Sequence, residues 1–400
     1  MMNKSEWKKV RLGDITIQIR GVTYKKSDVC EKEIENFIPL LRANNIKDSK
    51  IIYNDVVFVN QNNVSENQIL RKNDILICTS SGSLDLVGKA GQINKNENIS
   101  FGAFCKVIRI LDENRLNPLY LNYFFQSSYY KQNIKKIAQG ANINNLKNGD
   151  IDNLEIILYS LEKQKYIGNI LNNLSNILNK RKEQLFELEK LVKFQFLKMF
   201  GDLETNLYNF KIGTIQDITS SIIRGPFGSA LKKEFFVQKS LNSYKVYEQK
   251  NAIQKNAEIG SYYISYDKYL ELKRFECFPN DIIMSCSGTI GKFYQLPQNA
   301  EKGVINQALC KFSLNSNVNS IFFLEHMKEI ITKLEIKGSG IKNVGSVNYI
   351  KALKVLIPPI ELQNKFAEFV KQVDKSKVEL QKSIDETQLL FDSLMDKYFG

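Results

Sequence analysis

Leu154 to Gln164 reads LEIILYSLEKQ, and Leu353 to Gln363 reads LKVLIPPIELQ. The two segments align without a gap, and their offset of 199 residues continues to Phe200-Gly201 and Phe399-Gly400. Each begins as an apolar, strand-like run and passes into a long proline-free stretch, about Glu162 to Phe200 and about Glu361 to Phe399. In the first stretch Ile167, Leu171, Leu174, Leu185 and Leu188 belong to a set of apolar residues recurring at spacings of three and four. Phe366, Val370, Val373, Ile384 and Leu394 form the matching set in the second. Such spacing gathers apolar side chains on one face of a helix, and Pro358-Pro359 ends the strand and opens the second helix. At 1.5 Å per residue each helix is roughly 58 Å long, too long for one small domain to cover. The two stripes are therefore expected to pack on each other; the alternative is that each folds back over its own domain.

Outward from these tails the whole chain repeats once, with a period of about 200 residues, and internal repetition governs every later reading. Trp7 to Ile15 (WKKVRLGDI) answers Phe210 to Ile218 (FKIGTIQDI), and Arg20-Gly21 answers Arg224-Gly225. Leu40 to Ile46 (LLRANNI) lies opposite Tyr247 to Ile253 (YEQKNAI), which sets Asn44 against Asn251. Asn73-Asp74-Ile75 and Asn280-Asp281-Ile282 lead into Ser81-Gly82 and Ser287-Gly288, then into Gly88-Lys89 and Gly291-Lys292. AFCKVI from Ala103 meets ALCKFSL from Ala308, aligning Cys105 with Cys310. Strand-like runs such as Ile51 to Asn60 and Asp74 to Thr79 come first in each copy. A Gly- and Asn-rich loop follows, Gln139 to Asn148 and Lys337 to Asn348, and the long helix comes last.

Four hundred residues suit two domains, each able to bury a core. The expected division is 1–160 for the first recognition domain, 161–202 for its helix, 203–359 for the second domain and 360–400 for its helix. No apolar run is long enough to span a membrane, and the polar stretch Met1 to Asp14 lacks the apolar core of a signal peptide. Six cysteines without a CxxC pair fit buried thiols in a reduced, cytoplasmic protein. The net charge is +13, and both halves are basic. A basic face attracts phosphate, although a Lys- and Asn-rich composition from an AT-rich genome carries the same charge.

Catalytic chemistry finds little support. His326, the only histidine, stands in an apparent helix from Ser320 to Leu334 without a cluster of metal-ligating neighbours. Asn117-Pro118-Leu119-Tyr120 resembles the NPPY motif of adenine methyltransferases but has leucine for the second proline, so a proline in the first turn of a helix explains it better. Gly82 to Lys89 (GSLDLVGK) is one residue too long for a phosphate-binding loop, and Ala90 stands where Ser or Thr should bind magnesium.

Taken in order, twice, these segments resemble the specificity subunit of type I restriction-modification systems over essentially the full length. Arg20 to Val29, Pro39 to Ile46 and Asn73 to Gly88 carry the resemblance in the first half. Arg224 to Lys232 (RGPFGSALK), Tyr244 to Ile253, Asn280 to Gly291 and LIPPIELQ carry it in the second. The first half departs by having Tyr159-Ser160 in place of Pro358-Pro359. The resemblance implies an α+β fold: two tandem target-recognition domains of mixed strands and helices, each followed by a long helix. The helices would pair as an antiparallel coiled coil with the domains at opposite ends. It also implies a chain that is no enzyme and binds no cofactor. Its partners would be double-stranded DNA, two modification (methyltransferase) subunits using S-adenosylmethionine, and restriction subunits using ATP and magnesium.

The residues suggest where DNA would be met. Ser-Gly turns at Ser81-Gly82 and Ser287-Gly288 let backbone approach a phosphate. Arg20, Arg42 and Arg224 either position phosphate or grip guanine, while Lys25, Lys89, Lys232 and Lys292 suit phosphate alone. Asn44, Gln249 and Asn251 either read adenine or shape turns.

Overall fold

The computed structural model describes residues 7–140, 145–336 and 346–400. Most of each Gly- and Asn-rich loop lies outside the described residues. The chain divides into two compact units, Met1–Glu183 with Gln381–Gly400, and Gln184–Leu380. Both units are α+β, and each combines two larger sheets, a two-stranded ribbon and parts of both long helices.

In the first unit a six-stranded sheet runs in the order Thr16–Arg20, Cys105–Ile110, Ile75–Cys78, Ala90–Gln92, Lys50–Ile51, Ile46–Lys47. The second unit has the order Thr219–Arg224, Leu309–Leu314, Ile282–Ser285, Phe293–Gln295. Their central strands are fully buried: Ile75, Leu76, Ile77 and Cys78 in one, Ile282, Ile283, Met284 and Ser285 in the other. A second sheet in each unit joins its strands partly in parallel, Phe37–Leu41 with Ser100–Phe101, and Ser243–Tyr247 with Gly303–Ile305. The run Ile51 to Asn60 proves to be two strands in different sheets, Lys50–Ile51 and Val57–Asn60. Asp55, at φ +61°, turns the chain between them.

A two-stranded antiparallel ribbon closes each domain at the start of its long helix. Trp7 pairs with Tyr159 in one, and Lys211 with Ile357 in the other. The glutamine of LEKQ and IELQ explains why these tails match. Gln164 is buried and donates through Nε2 to the carbonyls of Tyr159 (2.8 Å) and Arg115 (3.0 Å), while its Oε1 accepts from Asn117 N–H (2.8 Å). Gln363 does the same with Pro358, Asn317 and Asn319. A buried amide with all these bonds made is stable; with any lost it is costly. Asn117 also caps the helix Pro118–Phe124, accepting from Tyr120 N–H.

The long helices are Leu161–Phe200 and Ile360–Phe399, each 40 residues. In the first unit Ile167 and Leu171, near the start of the first helix, share a core with Met395, Tyr398 and Phe399 from the end of the second. Arg181 donates to the Ser383 carbonyl at 2.7 Å and to Thr387 Oγ1. In the second unit Val192, Phe196 and Phe200 pack with Phe366, Val370 and Val373. The start of each helix thus meets the end of the other, and the pairing is antiparallel. Ile384 is buried as well, and Leu174, Leu185, Leu188 and Leu394 are half-buried. Phe200, Tyr398 and Phe399, at the helix ends, are buried too.

Candidate nucleic-acid interface

The hydrogen-bond registers superpose the halves more closely than the sequence does, and they correct two matches. Asn45, not Asn44, corresponds to Asn251. Arg42 N–H donates to Asn45 Oδ1 (2.9 Å) and Glu248 N–H to Asn251 Oδ1 (2.8 Å). Each asparagine then donates to two carbonyls of its own loop, Ile52 and Asn54 in one half, Asn256 and Ile259 in the other. Asn251 is fully buried and its amide is committed, so it shapes a turn and is not available to a base. Cys105 stands opposite Cys78 as Leu309 stands opposite Ser285, so Cys105 corresponds to Leu309 and not to Cys310.

A backbone crossing requires the glycine of Arg20-Gly21 and of Arg224-Gly225. A Cβ on Gly21 would lie 2.2 Å from the Gly102 carbonyl oxygen, and one on Gly225 1.9 Å from that of Asn306; only glycine fits. Arg20 and Arg224 are exposed just before the crossing, and Arg224 Nε donates to the Gln307 carbonyl at 3.4 Å.

Around the first crossing lies a cleft of about 380 Å³ that brings together Arg42, Asn44, Ser81 and Gly82 with Tyr24 and Phe104. Asn44 is exposed and Arg42 half-buried. Arg42 Nε is buried and meets no hydrogen-bonding partner among the described residues. Lys25, exposed beside Tyr24, flanks this cleft in sequence. Lys89 lines a separate cleft of about 490 Å³ with Lys131 and Lys135.

In the second half Gln249 lies against Gly288, whose φ is +59°, and Gln249 Oε1 is buried without a partner among the described residues. Ser287 is half-buried, while Gly288, Lys232 and Lys292 are exposed. Lys232 pairs loosely with Glu234 (3.8 Å), and Glu248 with Lys250 (2.7 Å). Lys89 and Lys292 are true counterparts, since their carbonyls accept from Cys78 and Ser285 N–H. Phe104 and Tyr24 went unnoticed in the sequence because lone aromatics carry no spacing signal.

Behind the edge the chemistry is structural. Arg109 grips Asp74 with two bonds, Nε to Oδ1 at 2.8 Å and Nη2 to Oδ2 at 2.7 Å. Lys245 is buried and donates to the Glu258 carbonyl (2.9 Å); burial lowers its pKa, with Glu301 opposing that shift. His326 is buried between Phe196 and Phe322, accepts from Leu356 N–H at Nε2, and is held neutral by burial, its pKa lowered to about 4. Among the described residues no group of His, Cys, Asp and Glu is arranged to hold a metal ion, and no helix is long and apolar enough to cross a membrane.

A duplicated α+β module, each copy closed by one long helix, is the class this fold defines. The family is the type I restriction modification DNA specificity domain: its model matches residues 4–188 and again residues 209–387, and the chain belongs to it. The type I restriction enzyme StySPI specificity subunit of Salmonella potsdam is 37% identical over 187 residues, 47% of this chain but 40% of that relative. The putative MjaX specificity subunit of Methanocaldococcus jannaschii is 25% identical over 345 residues, 84% of this chain and 79% of that one. The crystal structure of a type I restriction-modification S subunit from M. genitalium covers 100% of this chain and 98% of its own, with TM-score 0.58 and 17% identity. A chain from a type I R-M system studied for complex assembly and conformational transition gives TM-score 0.62 at 14% identity, covering 100% and 99%. At these identities the structural likeness concerns the fold.

Proposed function

We propose that this chain is the DNA-recognition subunit of a type I restriction-modification complex, itself without catalytic activity, reading an asymmetric bipartite target. One observation carries the reading: the same backbone edge is built twice, with different side chains at equivalent positions. Arg42 in one half answers Glu248 in the other. Arginine suits guanine and a carboxylate suits the amino group of cytosine, so two copies of one edge would read two different half-sites. Arg20, Arg42, Asn44, Ser81 and Gly82 would serve the first half-site, and Arg224, Glu248, Gln249, Ser287 and Gly288 the second. Lys25, Lys89, Lys232 and Lys292 would meet phosphates.

Apolar residues left exposed on the long helices, among them Phe186 (57%), Phe194 (62%) and Leu389 (73%), support docking of two modification subunits through added helices. Restriction subunits would join that assembly, and S-adenosylmethionine, ATP and magnesium would be bound by the partners. The test is co-expression with the partner methyltransferase and mapping of methylated adenines by long-read sequencing. Exchange of residues 205–352 for those of a relative should change one half of the methylated sequence; a change in both halves or in neither overturns the division of labour.

A further inference from the structure

The most exposed aromatic rings described in the two globular halves are Phe104, 70% exposed, and Phe227, 90% exposed. They issue from the same backbone crossing by different routes. Phe104 lies two residues past Gly102, which the crossing sets against Gly21; Phe227 lies two residues past Gly225, which it sets against Asn306. Neither main chain is loose. The Phe104 carbonyl accepts from Thr79 N–H (2.9 Å), Ser80 N–H (3.1 Å) and Thr79 Oγ1 (3.2 Å). Phe227 follows buried Pro226, and its carbonyl accepts from Ala230 N–H at 2.9 Å. In both cases a fixed backbone turns an apolar ring into water.

The surroundings choose the partner. Phe104 shares its cleft with Arg42, Asn44, Ser81 and Gly82, and Phe227 lies, in sequence, between exposed Arg224 and exposed Lys232. A protein-docking hot spot sits inside a wider apolar patch; here single rings rise among basic and hydroxyl groups, which suits a base stack beside phosphates. Apolar side chains that enter between base steps unstack and kink a duplex.

We propose that Phe104 and Phe227 are wedges, one per half-site, that enter double-stranded DNA and part a base step while the neighbouring arginine holds the backbone or base edge beside it. The proposal rests on the DNA-recognition reading. At Phe104's own position the second half carries Ala308, whose carbonyl accepts from Cys286 N–H as Phe104's does from Thr79, so the two wedges enter from different loops.

The test uses the complex with its modification subunits on duplexes carrying its methylated target, with 2-aminopurine placed singly along each half-site. The expected result is a several-fold rise in fluorescence at one position per half-site apart from the adenine that the modification subunits extrude for methylation. Phe104→Ala should abolish the rise in one half-site only, Phe227→Ala in the other, each with binding about tenfold weaker. Phe104→Trp, which keeps a stacking face, should retain the rise. Wild-type fluorescence in Phe104→Ala and Phe227→Ala complexes that still bind the target overturns the wedges and spares the recognition reading. Loss of the modification subunits from those variants, with fluorescence of the remaining complex unchanged, overturns them in favour of a protein contact. Absence of target-dependent binding by the unaltered complex removes both readings together.

Discussion

Where the first half carries Arg42, the second carries Glu248, each with its amide bonded to the asparagine three residues on. Where the first half packs Phe124 against Phe399, the second packs His326 against Phe196 and Phe322. The bond each core makes to its closing ribbon differs too. Tyr120 O–H donates to the Ile157 carbonyl at 2.7 Å, whereas His326 Nε2 accepts from Leu356 N–H at 3.0 Å. The comparison teaches that the two copies keep the same backbone hydrogen bonds while their side-chain chemistry diverges, at Arg42 and Glu248 in the turn and at Phe124 and His326 in the core.

The sharpest way to break this comparison is through the aspartates of the two Asn-Asp-Ile segments. Both cap a turn, Asp74 for Arg71 N–H and Asp281 for Phe278 N–H, each at 2.8 Å. Their cationic partners differ: Arg109 binds Asp74 bidentately, while Lys311 stands 3.5 Å from Asp281. Removing one partner of a buried pair strands the other charge. Asp74→Asn is expected to cost about 3–5 kcal/mol, and Asp281→Asn about 1–2 kcal/mol, by denaturant unfolding at neutral pH. Equal losses would mean that the two pairs are energetically alike despite their geometry.

His326 offers a smaller and pH-dependent contrast. Burial lowers its pKa from 6.5 to about 4, so between those values the unfolded chain binds a proton that the folded one refuses. Stability is therefore complete above pH 6.5 and falls as the pH drops towards 4. The full effect is about 3 kcal/mol, of which roughly 2 kcal/mol should vanish between pH 7 and pH 5. His326→Phe, which copies Phe124 of the first half, should lose this pH dependence. It should also cost about 1–3 kcal/mol at pH 7, because Leu356 N–H loses its acceptor. Unfolding of both proteins at the two pH values decides it; a wild-type loss that the variant shares in full assigns the effect to other groups.

The smallest expected effect tests equivalence at the surface. Lys89 and Lys292 occupy the same register and are both exposed. If each meets one phosphate, Lys89→Ala and Lys292→Ala should each lower the slope of log affinity against log salt by about 0.9, without altering the preferred sequence. A drop in one variant alone would show that only one half uses this lysine, and the separate cleft that Lys89 shares with Lys131 and Lys135 makes it the one to watch.

Much of this was legible beforehand. The helix boundaries near 161 and 360 followed from apolar spacing and the absence of proline, because a helix is a local object whose periodicity is written along the chain. The Arg-Gly pairs were visible as repeats, though nothing local showed that a crossing carbonyl forbids a Cβ there. Of the two roles open to Asn251, its buried amide, committed to two carbonyls of its own loop, leaves turn shaping, but its match with Asn44 did not hold. In fact the turn bond from Arg42 selects Asn45, the next residue. The Cys105–Cys310 match failed for the same reason, since register is set by pairing with a strand some 25 residues away.

Duplication, the α+β order of parts and two long amphipathic helices could be derived from the chain alone, since each depends on recurrence or on local period. Tertiary structure alone decided that Arg42, Asn44, Ser81 and Phe104 share one cleft, that Gln164 and Gln363 lock the ribbons, and that Phe104 and Phe227 stand outward. The physical reason is that burial and hydrogen-bond partnership arise between segments far apart in sequence, where strand register and backbone crossings, not residue spacing, determine which side chains meet.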